Sequence, residues 1–240
     1  MAASAALQQV LAGELLLTRT TALLDLDAVR RCCEPLLQLA LPHPAWARTP
    51  WGRTLPRSCV GATVADYRAC LAARPMEPAA ALERHLVAPL AAWLQQLFAL
   101  PLQPLRDDEG QPLPSWALRV MDEGQGIAPH CEQVWNPLNL VESGQLGAMA
   151  FEPAVQLSYL YVLEAPAQGG ELELFDHRGP VRPTSLTSTG LVPPVPGELL
   201  LFNAGLHWHR ICPCQGPGRR VVLGGFVRLN SAHTALHAYV

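Results

Sequence analysis

Two short segments that contain histidine have the spacing of metal-binding sites. His130 and Glu132 are separated by one residue, and side chains at i and i+2 of an extended strand point to the same side. An imidazole and a carboxylate at these positions can therefore bind one cation. His207 and His209 have the same spacing, so alternation alone does not decide which of them joins the first pair. Taken singly, each segment is equally compatible with a surface pair or a buried core histidine.

An arginine that follows the second segment indicates what such a metal would do. Arg219 lies ten residues after His209 and precedes an apolar strand, where a guanidinium is costly to bury unless a carboxylate meets it. Its planar fork suits bidentate binding of a carboxylate. Two histidines and one carboxylate leave coordination positions open on a metal, as in non-haem Fe(II) oxygenases. These residues together predict a metal site that holds a 2-oxo acid by both of its ends.

The elements that must position these residues change character along the chain. Residues 1–112 are mainly helical by pattern, with apolar residues at helical spacing in Leu24–Leu41 and from about Pro78 to Leu100. Pro35 predicts a break or a new first turn inside the first of these segments. Later in the chain the pattern becomes that of strands separated by turns rich in glycine and proline. The predicted strands are Ala117–Met121, Val155–Leu163, Glu171–Phe175, Glu198–Phe202 and Arg220–Arg228. This order predicts an α+β, mainly β fold with helices packed on a β-sandwich or barrel.

Composition excludes several classes of protein. The chain has 240 residues, of which half are hydrophobic and 15% are charged, which fits one globular domain over 1–240. The net charge is −3 and the basic residues, all arginine, are scattered, so nucleic acid is not an expected partner. No apolar run reaches the roughly 20 residues of a membrane span. The seven cysteines suggest no disulfide framework and the N-terminus no secretory signal, which predicts a cytoplasmic protein. The oligomeric state is not predicted.

Three stretches of the sequence resemble the Fe(II)/2-oxoglutarate-dependent dioxygenase superfamily, in particular its prolyl-4-hydroxylase-like branch. They are APHCEQ at 128–133, LSYLYVLEAPAQGGELELFD at 157–176 and PGELLLFNAGLHWHRICPCQGPGRRVVLGGF at 196–226. The resemblance covers roughly residues 115–230. It implies a double-stranded β-helix, a jelly-roll or cupin-like catalytic core, over 113–230. Residues 1–112 would be a mainly helical support region.

The resemblance also implies a set of metal ligands. His130, Glu132 and His209 match the residues that bind iron and carry out catalysis in the superfamily. His209 fits better than His207 because of its spacing to the arginine, and His207 is left as a residue behind the ligands or a substrate contact. Related halogenases have Ala or Gly in place of the carboxylate, which leaves room for chloride. Glu132 occupies that position, so hydroxylation is favoured over halogenation.

Two further residues match positions that bind 2-oxoglutarate in the superfamily. Arg219 matches the arginine that pairs with the far carboxylate of 2-oxoglutarate. Arg220 is the less favoured choice because it would point to the opposite face of its strand. Tyr161 matches a hydroxyl donor to the same carboxylate. Gly169 and Gly170 match a turn of the backbone and not a catalytic feature.

The function that the resemblance implies is hydroxylation of a small molecule, an amino acid or a specialised metabolite, either free or bound to a carrier protein. The enzyme would bind Fe(II) as its cofactor, with ascorbate as a possible further cofactor. It would consume 2-oxoglutarate and O2 as co-substrates and release succinate and CO2 as co-products. Asn136 and Asn139 are candidate contacts to a polar substrate. Arg119 is interpreted as a solvated edge charge, with a contact to a substrate carboxylate as the alternative.

Three other functions stay open at this point. One is a prolyl or other residue hydroxylase that acts on proteins. The second is a non-catalytic β-barrel protein that binds Zn(II), which would leave the arginine without a partner. The third is an interaction module without a metal.

Overall fold

The computed structural model describes residues 4–40, 43–55, 69, 72–106, 110–132 and 151–240, without the side chains of 153 and 154. The α-helices in these residues are α1 (Ala5–Leu11), α2 (Leu26–Leu37), α3 (Met76–Leu82) and α4 (Ala88–Phe98), and a π-helical turn, Glu83–Val87, joins α3 to α4. None of the helices in this part of the chain is long and apolar enough to cross a membrane.

The helices begin and end where their local chemistry requires. The Asp25 side chain accepts hydrogen bonds from the backbone N–H groups of Asp27 and Ala28, and it thereby satisfies the free donors at the start of α2. Pro35 does not break α2 as predicted, because it lies in the last turn, and the helix ends two residues later. Ala99, with φ of 58°, adopts the left-handed conformation that ends α4.

The strands of the described residues form two sheets. In chain order they are β1 (Leu17–Thr20), β2 (Ala47–Thr49), β3 (Gly52–Leu55), β4 (Leu102–Pro104), β5 (Ala117–Met121), β6 (Ile127–His130), β7 (Phe151–Glu164), β8 (Leu172–Arg178), β9 (Ser188–Val192), β10 (Leu199–Phe202), β11 (His207–Ile211), β12 (Arg220–Asn230) and β13 (Leu236–Tyr239). The large sheet has the order β1-β10-β7-β12-β5-β3-β2, with β13 beside β12 and β4 beside β13. The small sheet has the order β6-β11-β8-β9. Strands outside 113–230 therefore join the large sheet at both of its edges.

Alternation along the large sheet separates two cores. On β7, Tyr159 and Tyr161 face the helices and belong to the larger hydrophobic cluster, whereas Leu160 belongs to a second cluster. That second cluster also contains Leu172 and Ile211 of the small sheet, so it fills the space between the two sheets. Helices on one face of the large sheet and a second sheet on the other agree with the predicted α+β, mainly β fold.

A turn with two glycines, just before β8, lies close to the residues that follow β11. Gly169 and Gly170 have φ of 75° and 74°, in the left-handed region that favours glycine. A Cβ atom on Gly169 would lie 2.0 Å from the carbonyl oxygen of Pro213. The close approach of two backbones therefore explains the glycine at this position.

Candidate active site between the two sheets

The three predicted metal ligands meet at one point between the sheets. His130 and His209 are cross-strand partners on β6 and β11, and their ring centroids are 4.3 Å apart. Oε1 of Glu132 lies 3.4 Å from Nε2 of His130 and 3.9 Å from Nε2 of His209. The candidate ligand atoms all lie within 4.8 Å of one another, and all three side chains are buried. This arrangement, called the triad below, can hold one cation.

The backbone explains why His130 and Glu132 face the same way. Between them, Cys131 points to the opposite side, where its thiol donates a hydrogen bond to the carbonyl oxygen of Gly205 over 2.9 Å. The backbone N–H of Glu132 donates to the carbonyl oxygen of Ala204. These contacts extend the alternation of β6 by two residues beyond the end of the strand, as the sequence predicted.

Hydrogen bonds fix the orientation of both imidazoles. Nδ1 of His130 lies 2.8 Å from the carbonyl oxygen of Ala128, and Nδ1 of His209 lies 3.0 Å from that of His207. Because a carbonyl oxygen can only accept, each Nδ1 carries the proton and donates it. In its neutral form each ring then offers the lone pair of Nε2 to the centre of the triad, and a hydrogen bond from Nδ1 is the usual support of a metal-binding histidine.

The charges of the triad suit a divalent cation. Burial, followed by the charge of His130, lowers the pKa of His209 to about 3. Burial alone would raise the pKa of Glu132, but the hydrogen bond and charge of His130, with smaller effects of His209 and Arg119, hold it below its usual range. Burial lowers the pKa of His130, yet the hydrogen bond and charge of Glu132 outweigh it and the pKa is raised. A carboxylate and a neutral imidazole, the metal-binding forms, thus exist side by side at neutral pH.

The triad opens into a pocket between the two sheets. Its lining combines two arginines and a serine with apolar side chains from both sheets: Arg119, Met121, Ile127, His130, Glu132, Ser158, Leu160, Phe202, His209, Ile211 and Arg220. The ring of Phe202 packs edge-on against His209, with centroids 4.9 Å apart. The pocket therefore joins a metal-binding end to an arginine through apolar walls.

The structure places the two neighbouring arginines, Arg219 and Arg220, differently with respect to the triad. Arg219 lies just before β12 and forms a bidentate ion pair with Glu164, with N···O distances of 2.9 and 3.0 Å. These two side chains are 35% and 37% exposed, outside the pocket. Arg220 instead pairs with Met121 across β12 and β5, and both line the pocket. The arginine that faces the triad's pocket is Arg220.

Arg220 has the features of an anion-binding group. The residue is 2% exposed, and no described residue provides a hydrogen-bond partner for its Nε. Burial lowers the pKa of its guanidinium to about 10, so the group stays charged at neutral pH. Gly170 lies against its stem, where a Cβ atom would be 3.2 Å from Cδ of Arg220. A buried charge without a carboxylate partner is costly unless a ligand supplies the opposite charge.

Tyr161 is the second predicted residue that the structure does not bring to the triad. It faces the helices from β7, in the cluster that contains α2. Burial, followed by the charge of Asp25, raises the pKa of its hydroxyl to about 12. The neighbours of Tyr161 on the same strand, Ser158 and Leu160, line the pocket in its place. Ser158 is thus the residue of β7 that presents a hydroxyl on the pocket side.

We expect Tyr161→Phe to leave the affinity for 2-oxoglutarate within about twofold of the wild type. The hydroxyl lies on the far side of the sheet, and phenylalanine keeps the ring in its packed position. Isothermal titration of the metal-loaded protein measures the dissociation constant. A loss of affinity above tenfold would mean that the tyrosine reaches the ligand after all.

A family model decides which proteins this chain is related to. The model of the carrier-protein-independent halogenase WelO5 matches residues 100–240, more than half of the chain. The chain belongs to the WelO5 family. That family uses Fe(II) and 2-oxoglutarate, so the superfamily predicted from the sequence is confirmed. No curated protein matches the chain.

Solved structures share the fold of this WelO5-family chain at low sequence identity. It is similar to the carbocyclase SnoK from nogalamycin biosynthesis, with a TM-score of 0.53, 13% identity, and 88% of this chain and 79% of SnoK covered. It is similar to a 2OG-Fe(II) oxygenase family oxidoreductase from Burkholderia pseudomallei, with a TM-score of 0.51, 14% identity, and 96% and 89% covered. An N-substituted L-amino acid dioxygenase from Burkholderia ambifaria AMMD gives a TM-score of 0.49 and 16% identity, with 67% and 65% covered. The first two confirm the predicted jelly-roll fold class.

The remaining candidate residues separate into two groups. Arg119, interpreted from the sequence as a solvated edge charge, lines the pocket of this WelO5-family chain together with the triad. His207 is not among the residues that line this pocket, and its ring lies near the backbone of Gly13 and Glu14. Asn136 and Asn139 lie outside the described residues. The sequence did not single out Ser158, although a serine among apolar residues of a strand was a signal that could have found it.

Proposed function

We propose that this chain is an Fe(II)- and 2-oxoglutarate-dependent oxygenase that hydroxylates a free small molecule, an amino acid or a specialised metabolite. The observation that carries the proposal is the shared pocket of the triad and Arg220. A metal site alone would fit Zn(II) binding without catalysis. A buried, uncompensated guanidinium in the same pocket is unexplained by that alternative but suits an organic dianion.

Each residue of the pocket has a defined task in this proposal. His130 and His209 would bind the iron through Nε2 and Glu132 through its carboxylate, while Arg220 would pair with the far carboxylate of 2-oxoglutarate. When bound, the iron supplies the activation of O2 and the oxidation of an unactivated C–H bond, with 2-oxoglutarate converted to succinate and CO2. The apolar side chains of Leu160, Phe202 and Ile211 keep water from the pocket.

Glu132 supports hydroxylation over halogenation, although the family model is named after a halogenase. Related halogenases have Ala or Gly at this position, which leaves a coordination site for chloride. Here the carboxylate points into the triad and its pKa lies below the usual range, so it occupies that site as an anion. The description of WelO5 as carrier-protein-independent supports a free substrate over a carrier-bound one.

Succinate formation tests the proposed function without knowledge of the substrate. We expect the Fe(II)-loaded protein to convert 2-oxoglutarate slowly to succinate in air, with matching O2 uptake and no dependence on chloride. Glu132→Ala removes a ligand and its negative charge, and we expect it to lower this rate by more than tenfold in chloride-free buffer. Quantification of succinate by mass spectrometry measures both rates. A wild-type rate that requires chloride contradicts hydroxylation, and absence of succinate contradicts the oxygenase.

A further inference from the structure

A second arginine reaches into the same pocket from a different direction. Arg119 lies on β5 and pairs with Val222 of β12. This pair is two residues along the strands from the pair of Met121 and Arg220, so Arg119 lies on the same face of the sheet as Met121. Its guanidinium carbon lies 5.7 Å from the centroid of Phe226, which is four residues further along β12. The side chain of Arg119 therefore extends away from Arg220, to the part of the sheet where Phe226 is paired with Ser158.

No carboxylate among the described residues pairs directly with Arg119. Glu132 is the acidic residue whose charge acts on it most strongly, but the two do not come within ion-pair distance. Glu132 is also engaged by the two histidines of the triad. Arg119 is partly buried and lines the pocket without a carboxylate partner among the described residues, so its guanidinium can bind an anion there.

The balance of charge in the pocket leaves room for one more anion. Two guanidiniums, a divalent iron and the Glu132 carboxylate together carry three positive charges. The two carboxylates of 2-oxoglutarate would neutralise two of them, one at the metal and one at Arg220. One positive charge remains, and Arg119 is the arginine to which neither carboxylate of 2-oxoglutarate is assigned. Charge complementarity of this kind selects ligands by sign more than by shape.

We propose that Arg119 binds the carboxylate of the primary substrate, which makes the substrate an organic acid. This inference rests on the proposed function and narrows its substrate class. The planar fork of Arg119 can donate two hydrogen bonds to the carboxylate, and the ring of Phe226 packs against the guanidinium. A free amino acid or another carboxylated metabolite fits this site, and a neutral metabolite does not.

Matched pairs of acids and amides test the proposal on the whole protein loaded anaerobically with Fe(II) and 2-oxoglutarate. The probes are L-leucine, L-phenylalanine, N-acetyl-L-leucine and 3-phenylpropionate, each with its primary amide. We expect at least one acid to bind in isothermal titration and its amide to bind at least 30-fold more weakly. Arg119→Gln is expected to abolish this preference while its dissociation constant for 2-oxoglutarate changes less than threefold. Arg219→Gln is the matched control, since it removes an arginine outside the pocket, and it should behave as the wild type.

The other outcomes overturn the inference in distinguishable ways. If no acid binds, or if amides bind as tightly as acids, Arg119 does not recognise a substrate carboxylate. If Arg119→Gln raises the dissociation constant for 2-oxoglutarate by more than tenfold, Arg119 belongs to the co-substrate site. If the wild type does not bind 2-oxoglutarate at all, the proposed function itself fails, whatever the acids do.

Discussion

Replacing His209 by alanine is expected to weaken Fe(II) binding by more than about 100-fold. Loss of a residue that only supports a ligand costs 10- to 100-fold in metal affinity, and loss of the ligand itself should exceed that range. His209 is the one triad residue supplied by β11, so the variant would leave only His130 and Glu132 to hold the metal. Anaerobic equilibrium dialysis with metal analysis measures the affinity.

His207→Ala is the matched control for this prediction. His207 is also a buried histidine of β11, but its ring lies against Gly13 and Glu14. Its carbonyl oxygen, which accepts the hydrogen bond from Nδ1 of His209, is kept by alanine. We expect the control to bind Fe(II) within threefold of the wild type even if the protein is less stable. If His207→Ala loses Fe(II) binding and His209→Ala retains it, then His207, and not His209, is the metal ligand.

Replacing Arg220 by methionine is expected to raise the dissociation constant for 2-oxoglutarate by at least about 30-fold. Removal of one partner from a buried, hydrogen-bonded charge pair costs about 2 kcal/mol or more, and 1.4 kcal/mol corresponds to a factor of ten. The ligand-free variant should unfold at the same temperature as the wild type or higher, because a buried charge has been replaced by an apolar chain of similar length. Isothermal titration and thermal unfolding measure the two effects.

Arg219→Met provides the comparison at the neighbouring position. It breaks the partly exposed ion pair with Glu164, which contributes about 0–1 kcal/mol to stability. We expect a small decrease in stability and an affinity for 2-oxoglutarate within twofold of the wild type. If Arg219→Met loses the ligand and Arg220→Met keeps it, the assignment of the two arginines must be reversed.

The candidate metal ligands His130 and Glu132 could be identified from the sequence because their geometry is local. His130 and Glu132 are two residues apart on extended backbone, and strand alternation places them together without knowledge of the fold. Between His207 and His209 alternation gave no answer. The structure separates them by a shift in the pairing of β11 with β8, from His207 opposite Arg178 to His209 opposite Leu174. Such irregularities reorient side chains and leave no clear mark in a sequence.

The structure places Arg219 and Tyr161 away from the triad's pocket, and one physical reason explains why the sequence did not indicate this. β7 and β12 are buried on both faces, so both their odd and even positions are apolar, and polarity does not tell which face is which. The face of Arg220 is set by its pairing with Met121, and the face of Tyr161 by the helices that pack on it. Both orientations depend on tertiary packing, which the local sequence does not show. The five strands predicted from the sequence, in contrast, correspond to β5, β7, β8, β10 and β12, because turns rich in glycine and proline separate them.

Anaerobic titration of the protein with Fe(II) and then 2-oxoglutarate tests the central claim most directly. The triad and Arg220 in one pocket predict a visible charge-transfer band of the iron–2-oxoglutarate chelate, which saturates at one equivalent of ligand. The band should be absent in His209→Ala. Fe(II) bound to the wild type without any band on addition of 2-oxoglutarate would contradict the account, because the metal site and the arginine would then not serve a common ligand.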